Sequence, residues 1–181
     1  MIVYQGNLRQ FSNDVLMGMI ADRIEKCFRE NGINHNNPAE YRAFNNYLMV
    51  MNNVLCNNSS INQDINVAIE YQIPLTSKRV DFLVTGYDNQ NKENVVIIEL
   101  KKWEECYATS RDDVVTTFVG GAMRAVTHPC YRAYSYAKAI ESFNETVGNK
   151  DIGLYPCAFC HNYKDEHINE IKNSKYNVQL N

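Results

Sequence analysis

Two short runs carry the residues best suited to chemistry. Arg79-Val80-Asp81-Phe82 puts an acid inside an apolar stretch, and after a polar turn Val95-Val96-Ile97-Ile98-Glu99-Leu100-Lys101 closes an aliphatic run with an acid and a lysine. In a strand, residues i and i+2 point to the same side. Glu99 and Lys101 therefore share a face, and Ile98 and Leu100 the other. If the two strands are neighbours, Asp81 meets both. Two converging carboxylates make a hard-oxygen site suited to Mg²⁺ or Mn²⁺. A lysine beside such an ion can orient or deprotonate a water. That equipment hydrolyses a phosphodiester.

A plainer reading stands beside this one. Acids and lysines are common at strand ends, and an exposed pair two residues apart contributes little. The aliphatic run before Glu99 nevertheless reads as a buried strand, which ends either at a site or at the rim. Other residues are weighed the same way. Glu70 is a site acid, an exposed acid or the partner of Arg79 across the turn. Arg79 contacts phosphate or anchors Glu70. Glu40 is an extra acid from an early helix, or the third residue of a capping box begun by Asn37. Arg124, after the glycine pair Gly120-Gly121, and His128, before Pro129, are phosphate contacts or structural side chains. Cys157-Ala158-Phe159-Cys160-His161 matches a short haem-attachment pattern and, with His167, half a zinc site. No second cysteine pair completes it, and on a strand Cys157 and Cys160 face opposite ways.

The elements that must position these groups follow from hydrophobic spacing. Residues 13–31 repeat apolar positions at helical intervals from Leu16 to Phe28, with Ser12 or Asn13 as cap and Gly32 as stop. A second helix opens at Pro38 and buries Tyr41, Phe44, Leu48, Met51 and Leu55. Residues 67–71, 80–85 and 95–101 read as three strands joined by turns, most simply an antiparallel meander. Residues 103–113 read as an irregular loop near the site, and 114–119 as a short strand. A helix runs from Pro129 to about Phe143 and a last strand over 152–160. The tail from Tyr163 reads as polar, with scattered apolar residues.

Composition bounds the rest. The chain has 181 residues, 45% of them hydrophobic, a net charge of −3 and six cysteines. That fits one globular domain with a core over about 13–163. No run is long and apolar enough to span a membrane. The N-terminal residues lack a signal-peptide pattern, so cytoplasmic localisation and free thiols are expected. A dedicated nucleic-acid binder is usually basic. The acidic balance therefore expects basic residues to cluster locally, or a further region to supply the grip.

Asp81 followed by Glu99-x-Lys101 resembles the PD-(D/E)xK nuclease superfamily. The run from Ile69 to Asp81, the run Val115-Thr116-Thr117-Phe118-Val119-Gly120-Gly121, and His128-Pro129 are similar to one branch of it. In that branch the nuclease-like domain opens large bacterial proteins with a following ATPase or helicase-like region, sometimes described as Schlafen group 3-like. The resemblance covers about residues 15–165. It implies an α/β fold, the restriction-endonuclease-like α/β sandwich, with a central mixed sheet and flanking helices. It implies catalysis by Asp81, Glu99 and Lys101, with Glu70 and Glu40 as further acids. Asp81, Glu99 and the Leu100 carbonyl would hold Mg²⁺, with Mn²⁺ substituting. Arg79, Arg124, His128, Arg132 and Tyr136 would contact substrate. Relatives carry Gln-x-x-x-Tyr on the late helix; here Arg132 stands in the glutamine position and Tyr136 in the tyrosine position. Partners implied are nucleic acid, DNA in preference to RNA, and a downstream ATPase/helicase region in a longer protein with a role in defence or DNA processing. A homo-oligomer stays open. Two other classes also stay open: a catalytically silent nucleic-acid- or partner-binding module of the same fold, and a hydrolase of small phosphate compounds.

Overall fold

A computed structural model describes residues 1–32 and 38–177, with the backbone alone over 38–44. The protein is mixed α/β. Its strands order as β1-β2-β3-β4-β8 in a five-stranded sheet and β5-β6-β7 in a three-stranded one. The chain divides into two compact units, Met1–Val95 and Val96–Asn181.

In the first unit, β1 (Tyr4–Asn7) pairs antiparallel with β2 (Asn66–Gln72), and β2 with β3 (Arg79–Tyr87). Alternation buries Val67 and Ile69 of β2, and Val80 and Phe82 of β3. Two helices pack on β1: α1 (Leu8–Leu16) and α2 (Ile20–Glu30). Asn7 caps α1 by accepting from the Gln10 amide at 2.8 Å. Leu8, Phe11 and Val15 give α1 its buried face, and the Phe11 ring meets Phe82 edge-on at 5.5 Å. The single helix expected over 13–31 is thus two, with the cap at Asn7 and not at Ser12 or Asn13. The break falls at Gly18, whose φ of 68° leaves the helical region at little cost for glycine. The third helix, α3 (Pro38–Cys56), starts at Pro38 as the sequence predicts and packs against α1 and α2. The proposed cap Asn37 and the side chain of Glu40 lie outside the described residues.

The strand β4 (Glu93–Lys101) ends in the second unit. There, α4 (Pro129–Phe143) packs along β8 (Gly153–Cys160), followed on its own C-terminal side by α5 (Glu145–Asn149). The region expected as loop and single strand is a small sheet of β5 (Tyr107–Ala108), β6 (Val114–Val119) and β7 (Ala122–Thr127). Gly120 and Gly121, at φ 59° and 80°, form the two-residue turn between β6 and β7. Positive φ at both positions is what a tight right-twisted hairpin requires.

The tail is not the polar appendage that its composition suggests. Ile171, from the short helix α6 (Ile168–Ile171), and Tyr176 are buried with Trp103, Cys106 and Val115. The Tyr176 hydroxyl donates to the Val114 carbonyl at 2.8 Å. Two well-spaced apolar residues suffice to pin a segment when each fills a core position. Tyr176→Phe should cost about 1 kcal/mol for the lost hydrogen bond. Tyr176→Ala should cost about 3–5 kcal/mol, as for other buried aromatics. Urea unfolding measures both; an alanine variant as stable as the parent would detach the tail from the core.

Candidate functional site

The second unit presents the most concentrated polar arrangement. Glu99 ends the aliphatic run of β4, and its side chain is fully buried. A buried carboxylate is costly unless it is paired and hydrogen-bonded. Here Lys101, two residues on and on the same face, places Nζ 2.5 Å from Glu99 Oε1. The same ammonium lies 3.3 Å from the Leu100 carbonyl oxygen. From α4, Arg132 brings Nε to 3.1 Å from the same Glu99 Oε1. Arg132 Nε also donates to the Tyr136 hydroxyl at 2.7 Å, with the guanidinium 5.8 Å from the Tyr136 ring centre. The four-residue spacing puts Arg132 and Tyr136 on one helix face, one turn apart. Tyr136 is buried. The Lys101 side chain keeps 20% of its surface exposed and that of Arg132 50%. Glu99, Leu100, Lys101, Arg132 and Tyr136 thus lie together within one unit.

The first unit holds the other acids. Asp81 lies on β3. The register pairs Ile69 with Phe82 and Tyr71 with Val80, which sets Glu70 at the position opposite Asp81. Like charges directly opposite across two strands repel. The Glu70 backbone leaves the strand conformation at this point, with φ of 53°. A non-glycine residue held there costs on the order of 1–3 kcal/mol, and such strain clusters at functional sites. Arg79 lies 3.9 Å from Glu70 and stacks over the Phe28 ring at 5.5 Å, the anchoring role considered for it. One participant escaped the sequence reading. Tyr47 of α3 has its phenol pushed up, first by burial and then by the Asp81 carboxylate. It follows Glu40 by seven residues, two helical turns. That spacing was the available signal.

Two predicted substrate contacts have other surroundings. His128 is fully buried and caps α4: Nδ1 accepts from the Cys130 amide at 3.2 Å. That leaves Nε2 to donate to the Ile171 carbonyl at 2.9 Å, while the ring lies 4.4 Å from that of Tyr176. These are the contacts of a structural histidine. Arg124 sits on exposed β7 and reaches the Gly120 carbonyl at 3.4 Å, the solvated reading.

The cysteines are free thiols, as expected. Burial first, then neighbouring thiols, pushes Cys130 up to about 11 and Cys160 up to about 12, which keeps them protonated and inert. His167 pairs with Glu105 at 3.2 Å and Glu166 at 3.5 Å. Among the described residues no group of three or more His, Cys, Asp or Glu is placed to hold a metal. The Glu99 arrangement combines one carboxylate with one carbonyl. Also among the described residues, no helix is long and apolar enough to cross a membrane. Comparison with protein-family models, curated proteins and solved structures gives no match.

His128 gives a pH dependence. Burial lowers its folded-state pKa, opposed by the Ile171 carbonyl. The unfolded chain then binds the proton more readily, so His128 favours folding fully above the ordinary value of 6.5. That contribution is lost as pH falls from there through the lower folded value. His128→Asn, which retains a capping side chain, should flatten the acid-side fall in urea midpoint between about pH 7 and 5. An unchanged slope would assign that fall to other groups, such as His161, which burial also lowers.

Proposed function

We propose that the chain is a metal-dependent nuclease domain of the PD-(D/E)xK kind, hydrolysing DNA in preference to RNA. The observation that carries this reading is the seat of the Lys101 ammonium. It contacts Glu99 Oε1 and the Leu100 carbonyl, the two oxygens that the motif assigns to a cation. A carboxylate and a backbone carbonyl converging on one positive centre fit the donor chemistry of Mg²⁺. The restriction-endonuclease-like sandwich is the finer fold assignment that goes with this reading. So are a place at the front of a longer ATP-dependent protein and a role in defence or DNA processing.

In this account Glu99 and Leu100 would hold the cation, and the resemblance names Asp81 as a further acid. When bound, such an ion would neutralise phosphate charge and lower the pKa of a water. Lys101 then turns from its resting contacts to orient that water toward phosphorus and to offset charge developing on the phosphate oxygens. The water would attack in line, its O–P bond forming as the P–O bond to the leaving alkoxide breaks, with its proton passing to solvent and the alkoxide taking one from solvent. Arg132 and Tyr136 bind the phosphate backbone beside it. Glu70, opposite Asp81 on a strained backbone, and Arg79, which holds it, support the acid side.

A second reading keeps the fold and drops the chemistry. Arg132 rests on Glu99 Oε1, and a carboxylate held by two cations suits a silent module that uses them to grip phosphate.

Cleavage assays decide. With supercoiled plasmid, single-stranded DNA and RNA, Mg²⁺ or Mn²⁺ should support cutting and EDTA should abolish it. Glu99→Gln and Asp81→Ala should remove activity, and Lys101→Ala should reduce it by about 10²–10³-fold. Cutting that survives Glu99→Gln would overturn the reading, and nucleic-acid binding without metal dependence would favour the silent module.

A further inference from the structure

The Arg132 contacts have a consequence for how a metal and a nucleic acid would communicate. Arginine Nε carries a single hydrogen. That hydrogen is donated to the Tyr136 hydroxyl at 2.7 Å, while Glu99 Oε1, 3.1 Å from Nε, is an ion-pair contact. The directional hydrogen bond is the one to Tyr136, and the ion pair to Glu99 can be released without breaking it. The Glu99 oxygen involved is also the one that Lys101 contacts. A divalent ion on Oε1 would bring like charge against the guanidinium. Arg132 and the ion therefore compete for one oxygen. Tyr136 is what makes the exchange cheap, because its hydroxyl keeps Nε hydrogen-bonded after Glu99 is released. The half-exposed guanidinium is then able to turn to an anion without first being dug out of the core.

Resting on the nuclease reading, we infer that Arg132 is a placeholder for the metal, pivoting on Tyr136 from Glu99 to a backbone phosphate when the ion binds. The coupling is reciprocal. Metal frees Arg132 for phosphate, and phosphate, by drawing Arg132 away, tightens metal. Arg132 touches substrate only in the loaded state, and Tyr136 acts as its positioning residue.

Mn²⁺ binding to the full chain without nucleic acid, followed by electron paramagnetic resonance, tests the competition. Arg132→Gln should bind Mn²⁺ about tenfold more tightly than the parent, one of the two cations on Glu99 Oε1 being gone while Lys101 stays in both. Arg132→Lys, which keeps the charge, should stay nearer the parent. Circular dichroism confirms that each variant is folded. In a second arm, Ca²⁺ should raise the affinity of the parent for a fluorescent DNA duplex, and Arg132→Gln should lose most of that gain. Tyr136→Phe, which removes the alternative acceptor, should also reduce it. Mn²⁺ binding by folded Arg132→Gln that is no tighter than the parent's overturns the inference while leaving the nuclease reading intact. Mn²⁺ binding unchanged in Glu99→Gln, or absent from the parent, removes the metal seat itself and both proposals with it.

Discussion

Putting a carboxylate at the closed end of an apolar strand is the constraint on which the second unit turns. Glu99 is surrounded by the conditions that bury Ile97 and Ile98, yet it carries a charge. Unpaired, that charge would be prohibitive at such a position. The fold answers with two cations from different origins. Lys101 arrives through the period of the strand itself. Arg132 arrives through α4, and so depends on where that helix starts. His128 fixes the start by capping, and is itself fixed by the Ile171 carbonyl and the Tyr176 ring. A distal tail thus helps to set the position of a guanidinium in the site.

The first unit shows a related tension with a different outcome. Glu70 and Asp81 occupy opposed positions on β2 and β3. No apolar stripe requires acids there, and the Glu70 backbone bears a left-handed φ. Arg79 answers Glu70, while Asp81 acts on the Tyr47 phenol. A protein indifferent to this position would lose strain by substituting glycine or asparagine at residue 70. Keeping glutamate there is intelligible if its charge has a use.

Much of this was legible because strand and helix periods dictate it. The two-residue period put Glu99 and Lys101 on one face. Pro38 and Pro129 marked helix starts that the structure shares. What escaped the sequence did so for identifiable reasons. The helical period continues through residues 13–31, so a break set by one positive φ at Gly18 is invisible to periodicity. β1 is too short to declare itself. β7 is exposed along most of its length and so lacks the alternation that reveals a half-buried strand. Ile171 and Tyr176 are sparse in a polar tail, and their burial is a tertiary fact. For His128 the sequence carried two readings of equal standing, and only the surroundings of the side chain separate them; for Arg124 it already favoured solvated surface. That Arg132 would meet Glu99 was not in the pattern.

The central claim is that the oxygens of Glu99 and Leu100 form a cation seat. Localised oxidative cleavage tests it most directly. Fe²⁺ replaces Mg²⁺ in such seats, and peroxide with ascorbate then cuts the backbone beside the bound iron. Mass spectrometry of the fragments should place cuts at residues 99–101, suppressed by excess Mg²⁺ and lost in Glu99→Gln. Cuts confined to other parts of the chain, or cuts at 99–101 that persist in Glu99→Gln, would contradict the account.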